Sequence, residues 1–285
     1  MDSLAALFAH VSPAARNFFA GNLCSTVTFR GTAHLHLLQR GSITLVQAGM
    51  ADVRVDRPSL LFFPEERPHT IVTDPIDGAD LVCATVDLGR TSGNPIGRGL
   101  PSFIDLELAT HPELEAICQL LVAEGFGSAA GRQAALDRLF EYLLILLIRD
   151  VVAKGLVGTG VLAGLSHPRL AKALTAIHDE PARPWTLQDL ADQAGMSRTR
   201  FAELFRQVVG GTPIDYLSCW RITTAQRLLA QGKQLKTVAH AVGYDNSAAF
   251  ARRFGQITGE SPRQWLAGQH ARAQSPLVGE VTVHE

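Results

Sequence analysis

Apolar residues recur at two different periods along this 285-residue chain, and the change from one to the other divides it. Between residues 23 and 108 the apolar runs are short and are broken by Pro and Gly. They are TVTF at 26–29, AHLHLL at 33–38, ITLV at 43–46, SLLFF at 59–63, TIV at 70–72, LVCATVDL at 81–88 and FIDLEL at 103–108. Runs of that length and spacing predict the strands of an all-β barrel or sandwich. Beyond Leu108 the period becomes helical. Thr110 and Glu113 suit a capping box for a helix to Glu124, ended by Gly125. A second helix is predicted from Arg132 to about Val152, with Leu136, Leu139, Phe140, Leu143, Leu147 and Ile148 on one face and Leu144, Ile145 and Leu146 beside them. So wide an apolar face asks for burial beyond a thin barrel surface; a dimer interface is the expected partner, and packing on its own barrel is the plainer alternative. The glycine-containing stretch KGLVGTGVLAGLS, 154–166, reads as a connector.

The last hundred residues contain one pattern twice. TLQDLADQAGMSRTRFAELFRQVVGGTP occupies 186–213 and QLKTVAHAVGYDNSAAFARRFGQITGESP occupies 234–262. Leu187, Leu190, Ala191 and Gly195 recur 48 residues later, whereas Phe201, Phe205, Val208, Gly210 and Pro213 recur 49 residues later, so the second copy has one residue inserted after its turn. Each copy reads as a short helix, a glycine turn and a second helix with apolar residues at i, i+4 and i+7. Gly195 and Gly243 supply the left-handed backbone that ends a helix, and Ser197 and Asp245 are the expected caps of the second helices. The first turns of those helices are polar, with Arg198, Thr199 and Arg200 in one copy and Asn246 and Ser247 in the other. Such a turn suits entry into a DNA major groove. Thr212 and Pro213 open a helix to about Leu229 that joins the copies.

Residues 167–267 resemble the DNA-binding domain of the AraC/XylS family of bacterial transcriptional regulators. Val238-Ala239, Gly243-Tyr244, Phe250, Phe254, Gly259, Ser261-Pro262 and Trp265 carry the likeness. The resemblance implies base contacts from Ser197, Arg198, Thr199 and Arg200, and from Asn246, Ser247 and Arg252. Ala202 and Glu203 stand where many relatives have polar or basic residues, which implies weaker contacts from the middle of the first recognition helix. Charge points the same way. Residues 167–270 carry 13 Lys and Arg against 8 Asp and Glu, a net of +5 in a chain of net −1, so the remainder sums to −6. A basic end on an acidic partner domain suits phosphate binding localised to that end, with Arg206, Arg221, Arg253 and Arg263 as expected phosphate contacts. A helical domain that binds protein is the alternative.

Within the predicted barrel, His34 and His36 lie two apart on one strand and so face the same way. His69 follows Pro64 by five residues. A His-x-His pair with a later proline and histidine resembles the cupin fold, whose histidines bind a metal inside the barrel; Zn, Fe, Ni or Mn would suit neutral imidazoles. Arg40 and Gly41 stand where cupin enzymes place a glutamate. Histidines lining a polar barrel mouth or touching an organic ligand are the alternative. Four cysteines (Cys24, Cys83, Cys118 and Cys219) are widely spaced, which suits a reducing cytoplasm. Regulators that resemble this architecture can use cysteine oxidation as a signal, which makes Cys24 and Cys83 candidates; Cys83 as a small buried hydrophobe is the alternative. The start of the chain lacks the features of a signal peptide, and the longest apolar run, Tyr142 to Ile148, is too short to cross a bilayer.

These features together give an α+β chain of two domains: a cupin-like sensor and dimerisation domain over 1–153, a linker over 154–166, an all-α double helix-turn-helix over 167–267 and a flexible tail over 268–285. The expected function is that of a cytoplasmic, dimeric, sequence-specific transcriptional regulator without catalysis. Its expected partners are double-stranded promoter DNA, a second copy of itself, a small effector, metal or oxidant, and RNA polymerase if it activates; no membrane is among them. A metal-dependent cupin oxygenase or isomerase with a DNA-binding tail is the alternative.

Overall fold

The computed structural model describes Leu4, Leu7, Phe8 and residues 14–88, 99–274 and 280–284. The chain forms two compact units, one holding Pro13–Leu88, Pro101–Val151 and Leu277–Glu285, the other holding Val152–Pro276 with Gly89–Leu100 and the N-terminal residues.

Among the described residues, the first unit is built on ten strands: β1 (Ala14–Leu23), β2 (Thr26–Arg30), β3 (Ala33–Gly41), β4 (Ile43–Val46), β5 (Val53–Val55), β6 (Ser59–Phe63), β7 (His69–Thr73), β8 (Ala79–Asp87), β9 (Ile104–Glu107) and β10 (Glu280–His284). They make two antiparallel five-stranded sheets, ordered β1-β8-β3-β6-β9 and β10-β2-β7-β4-β5. The core between them includes Val27, Phe29, Leu38, Ile43, Leu45, Leu61, Phe63, Ile71, Leu81 and Cys83. The other face of the first sheet is buried as well, at Leu35, Leu37, Leu60, Phe62, Val82 and Ala84. That accounts for the unbroken apolar runs of β3, β6 and β8, since a strand covered on both faces has no polar side to alternate with.

Part of that cover is helical. Helix α1 (Pro112–Gly125) ends against β1 and β8, where a Cβ on Gly125 would lie 3.2 Å from both Ala20 and Val82. Helix α2 (Arg132–Ala153) is tied to β1, Asp137 accepting from the Asn17 backbone at 2.8 Å and Gln133 donating to the Asn17 carbonyl at 2.9 Å. Leu136, Phe140, Leu143, Leu144, Leu147, Ile148 and Val151 of α2 are at most 1% exposed. The wide apolar face is therefore covered by the chain's own fold, and needs no second subunit to bury it. The expected capping box does not form. Thr110 lies in a short 3-10 turn and donates to the Glu107 carbonyl at 2.8 Å, while Pro112 starts α1.

The second unit is helical: α3 (Val161–Ser166), α4 (Leu170–Asp179), α5 (Leu187–Gln193), α6 (Arg198–Val209), α7 (Pro213–Ala230), α8 (Leu235–Ala241), α9 (Ser247–Thr258) and α10 (Pro262–Gln274). Two expected boundaries change. Half of the predicted 154–166 linker is α3, with Val161, Leu162 and Leu165 buried. A Cβ on Gly164 would stand 2.6 Å from Leu174 and 2.9 Å from Val209, so this glycine serves close helix packing rather than looseness. The predicted flexible tail 268–285 begins inside α10, and its Glu280–His284 pairs antiparallel with β2.

Candidate DNA-recognition helices and barrel histidines

The two sequence copies fold as two equivalent helix-turn-helix modules, α5–α6 and α8–α9, joined by α7. Gly195 and Gly243 have φ of +62° and +82°, the left-handed conformation that turns the chain out of α5 and α8. Ser197 caps α6, accepting from the Arg200 N–H at 3.4 Å. The cap of α9 is Asn246, whose Oδ1 accepts from the Ala249 N–H at 2.8 Å; it is not Asp245. The inserted residue lies before the cap, so the offset of 49 already holds at Asn246. Inside, Phe201 and Phe205 pack with ring centroids 5.6 Å apart, and Phe250 and Phe254 repeat that distance. Each second helix ends on a left-handed glycine, Gly210 or Gly259.

Packing the apolar stripe inward leaves the opposite stripe in solvent. Ser197, Arg198, Thr199, Arg200 and Glu203 are exposed on the first module, and Asn246, Ala248, Arg252 and Gln256 on the second; Ser247 is half-buried. Ala248 and Gln256 complete the i, i+4, i+8 row through Arg252, and that spacing alone would have added them to the expected set. Neither α6 nor α9 has an acid in its first turn, whereas α5 and α7 carry Asp189 and Asp215 there. Arginines at a helix N-terminus oppose the macrodipole, and a bound phosphate or base edge relieves that repulsion. Two expected phosphate contacts are engaged elsewhere. Arg253 pairs with Asp215 at 3.3 Å, and Arg221 is held by backbone carbonyls. Arg206 and Arg263 remain exposed.

In the barrel, strand register brings the three histidines together. His36 lies opposite Cys83 on β8 and Leu61 on β6, and His69 lies opposite Phe29. Nε2 of His36 and Nε2 of His69 are 2.9 Å apart. Nδ1 of His69 donates to the Arg67 carbonyl at 3.3 Å, so its Nε2 accepts the proton of His36. His34 lies nearly parallel to His36 with ring centroids 5.9 Å apart, and both of its ring nitrogens are buried, with the Thr32 backbone beside the ring. Phe63 stacks on His69 at 3.7 Å, and Phe29 stands over all three rings. Burial pushes His34 down to about 4 and His69 down to about 3. For His36, burial and then its neighbouring imidazoles act in the same direction. All three are neutral at physiological pH.

Comparison with known proteins fits both halves. A family profile described as cupin matches residues 2–153, and one described as a helix-turn-helix domain matches residues 190–268. The HTH-type transcriptional regulator AlkR of Acinetobacter baylyi is 36% identical over 178 residues, covering 61% of this chain and 58% of that protein. The chain is also 27% identical over 258 residues to an HTH-type transcriptional regulator of Haemophilus influenzae, covering 82% and 86%. The chain belongs to the cupin-bearing AraC family of transcriptional regulators. A solved Chromobacterium violaceum regulator with an AraC-type DNA-binding domain is 28% identical to this AraC-family chain, covering 38% of it and 94% of that structure with a TM-score of 0.35.

In this AraC-family member the three histidines that the cupin likeness implies as metal ligands lie side by side in the barrel, with ring centroids 5.1 to 5.9 Å apart. Among the described residues no three His, Cys, Asp or Glu side chains are grouped so as to hold an ion. His36 and His69 are bonded to each other, and the His34 ring lies nearly parallel to that of His36. The cysteine pair is separated. Leu23 lies opposite Ala79 and Phe19 opposite Cys83, so Cys24 and Cys83 stand about five residues of strand apart, roughly 17 Å. A disulfide needs Cα atoms within about 7 Å. Cys83 is 1% exposed, and burial pushes its thiol up, whereas Cys24 is at the surface, its thiol donating to Asn22 Oδ1 at 2.8 Å.

Proposed function

We propose that the chain binds a specific promoter site in double-stranded DNA as a homodimer, in the cytoplasm, and that its barrel responds to an effector without catalysing a reaction. The reading rests above all on the doubled module, whose two exposed recognition helices lack first-turn acids. Ser197, Arg198, Thr199, Arg200, Ser247 and Arg252 are the base-reading set, with Ala248 and Gln256 added; Asn246 works mainly as a cap. RNA polymerase is the further partner if the bound chain activates. A dimer contact through the outer side of α1 and α2 is favoured by Leu120 and Tyr142, which stay 53% and 47% exposed. Among the described residues no helix is long and apolar enough to cross a membrane. The decisive experiment is a binding titration of Arg198→Ala and Arg252→Ala on the selected site and on random duplex. Loss of a base contact is expected to cost about 1–3 kcal/mol on the selected site alone. An equal loss on both DNAs would make the residue a phosphate contact, and no DNA selection at all would end the reading.

Inside the barrel, His34 is the group that gains most from an effector's own polar groups, since its buried ring nitrogens are poorly satisfied. A small molecule bringing its own hydrogen-bonding groups suits three neutral imidazoles walled by Phe29 and Phe63, because it would satisfy the buried His34 nitrogens. Elemental mass spectrometry of untagged protein is expected to find no stoichiometric zinc, iron, nickel or manganese. About one metal per chain, lost in His34→Ala/His36→Ala, would restore the metal reading.

A further inference from the structure

We propose that Arg221, with Gly243, forms the joint that fixes the two helix-turn-helix modules relative to each other, making Arg221 a positioning residue for DNA recognition rather than a DNA contact. The proposal rests on the DNA-binding reading above. Arg221 lies on the connecting helix α7, and its guanidinium reaches both modules. Nε donates to the Pro181 carbonyl at 2.7 Å and Nη2 to the Arg183 carbonyl at 2.8 Å, both in the turn that leads into the first module. Nη1 reaches the Gly243 carbonyl of the second module at 3.4 Å. The guanidinium carbon also lies 5.8 Å from the Tyr244 ring centre. A planar fork with donors in three directions suits such a junction, and no other side chain offers that geometry.

The carbonyls it meets belong to stiff segments. In the 180–185 turn, Trp185 Nε1 donates to the Glu180 carbonyl at 2.9 Å, the Trp185 N–H donates to the Arg183 carbonyl at 2.8 Å, and the Arg183 guanidinium covers the Trp185 ring at 4.0 Å. On the other side, Gly243 holds the turn between α8 and α9. A Cβ at Gly243 would stand 2.6 Å from the Ala182 carbonyl oxygen, 2.9 Å from Ala182 Cα and 3.0 Å from Arg221 Nη2. The two modules are thus in backbone contact at this point, and Arg221 ties the contact together. Gly195, the equivalent turn glycine of the first module, has nothing within 4 Å of its Cβ position. The contact therefore exists at one turn and not at its copy, as a joint between modules requires and a general demand of the motif does not.

The test uses the full chain with Arg221→Lys, which keeps the charge and loses the fork, and Gly243→Ala, which removes no charge. Spin labels attached through non-cysteine chemistry at the exposed Gln207 and Gln256 report the distance between α6 and α9 without DNA. Both variants are expected to broaden that distribution. On duplexes carrying both recognised segments, affinity is expected to fall at least tenfold, while duplexes carrying one segment bind within twofold of the unaltered chain. The salt slope of binding should not change, since no phosphate contact is removed. An unchanged distance distribution overturns the joint, whatever the DNA result. Equal losses on both duplexes with a shallower salt slope also overturn it and make Arg221 a phosphate contact. If the unaltered chain selects no DNA, the DNA-binding reading fails while the distance measurement still decides whether the joint exists.

Discussion

Each of the three barrel imidazoles is harder to protonate in the fold than in the unfolded chain, and this has a definite sign. Their folded values lie below the ordinary 6.5, at about 4 for His34 and about 3 for His69, with His36 lowered as well. The native state therefore binds fewer protons than the unfolded state as pH drops below 6.5. Stability is complete above that value and is lost as pH falls toward 4, by up to about 1.4 kcal/mol per pH unit for each histidine. Urea midpoints at pH 7.5, 6 and 5 are expected to fall together with pH, and His36→Leu to flatten the curve; parallel curves for the two proteins would contradict this. The cysteines make a second prediction at this scale. Mild oxidant followed by peptide mass mapping should yield no Cys24–Cys83 bridge, and a maleimide should label Cys24 well before Cys83. A bridge formed by folded protein would mean that β1 and β8 move apart.

Elements whose burial repeats regularly were legible in the sequence, and those whose burial does not were missed. The seven expected strands all form, because β2, β3, β4, β6, β7, β8 and β9 carry runs of consecutive or alternating apolar residues. Strand β1 escaped because a bulge between Asn17 and Phe19 breaks its alternation and buries a polar side chain, Asn17 donating to the Cys83 and Phe19 carbonyls at 2.9 Å. Strand β5 is three residues long with two of them exposed, and β10 depends on pairing with a strand some 250 residues earlier in the chain. The recognition helices were readable to within a residue, the second cap falling at Asn246 rather than Asp245, because each side of the turn is fixed locally by a glycine, a cap and two phenylalanines. The joint at Arg221 was not readable, since a charged residue on a helix gives no sign of the carbonyls that converge on it. The β10 pairing can be tested directly. Ending the chain after Gln274 removes the outer partner of β2, leaving its unpaired backbone open to other chains. Light scattering should then show concentration-dependent association beyond that of the full chain.

At the scale of the molecule, charge and repetition act on the same end. The net of +5 over residues 167–270 against −6 elsewhere concentrates phosphate attraction on the helical unit. Binding to any duplex should weaken steeply with salt, and a flat response would contradict phosphate contact. The repeat has a further consequence. Its two copies follow one another head to tail, and they no longer match in the first turns of their second helices: Arg198, Thr199 and Arg200 in one, Ser247, Ala248 and Ala249 in the other. Two unlike readers in a fixed order require two unlike words in a fixed order. On the DNA-binding reading proposed above, the operator of a single chain therefore has a left and a right, and inverting it reverses the order in which the two recognition helices lie along the promoter.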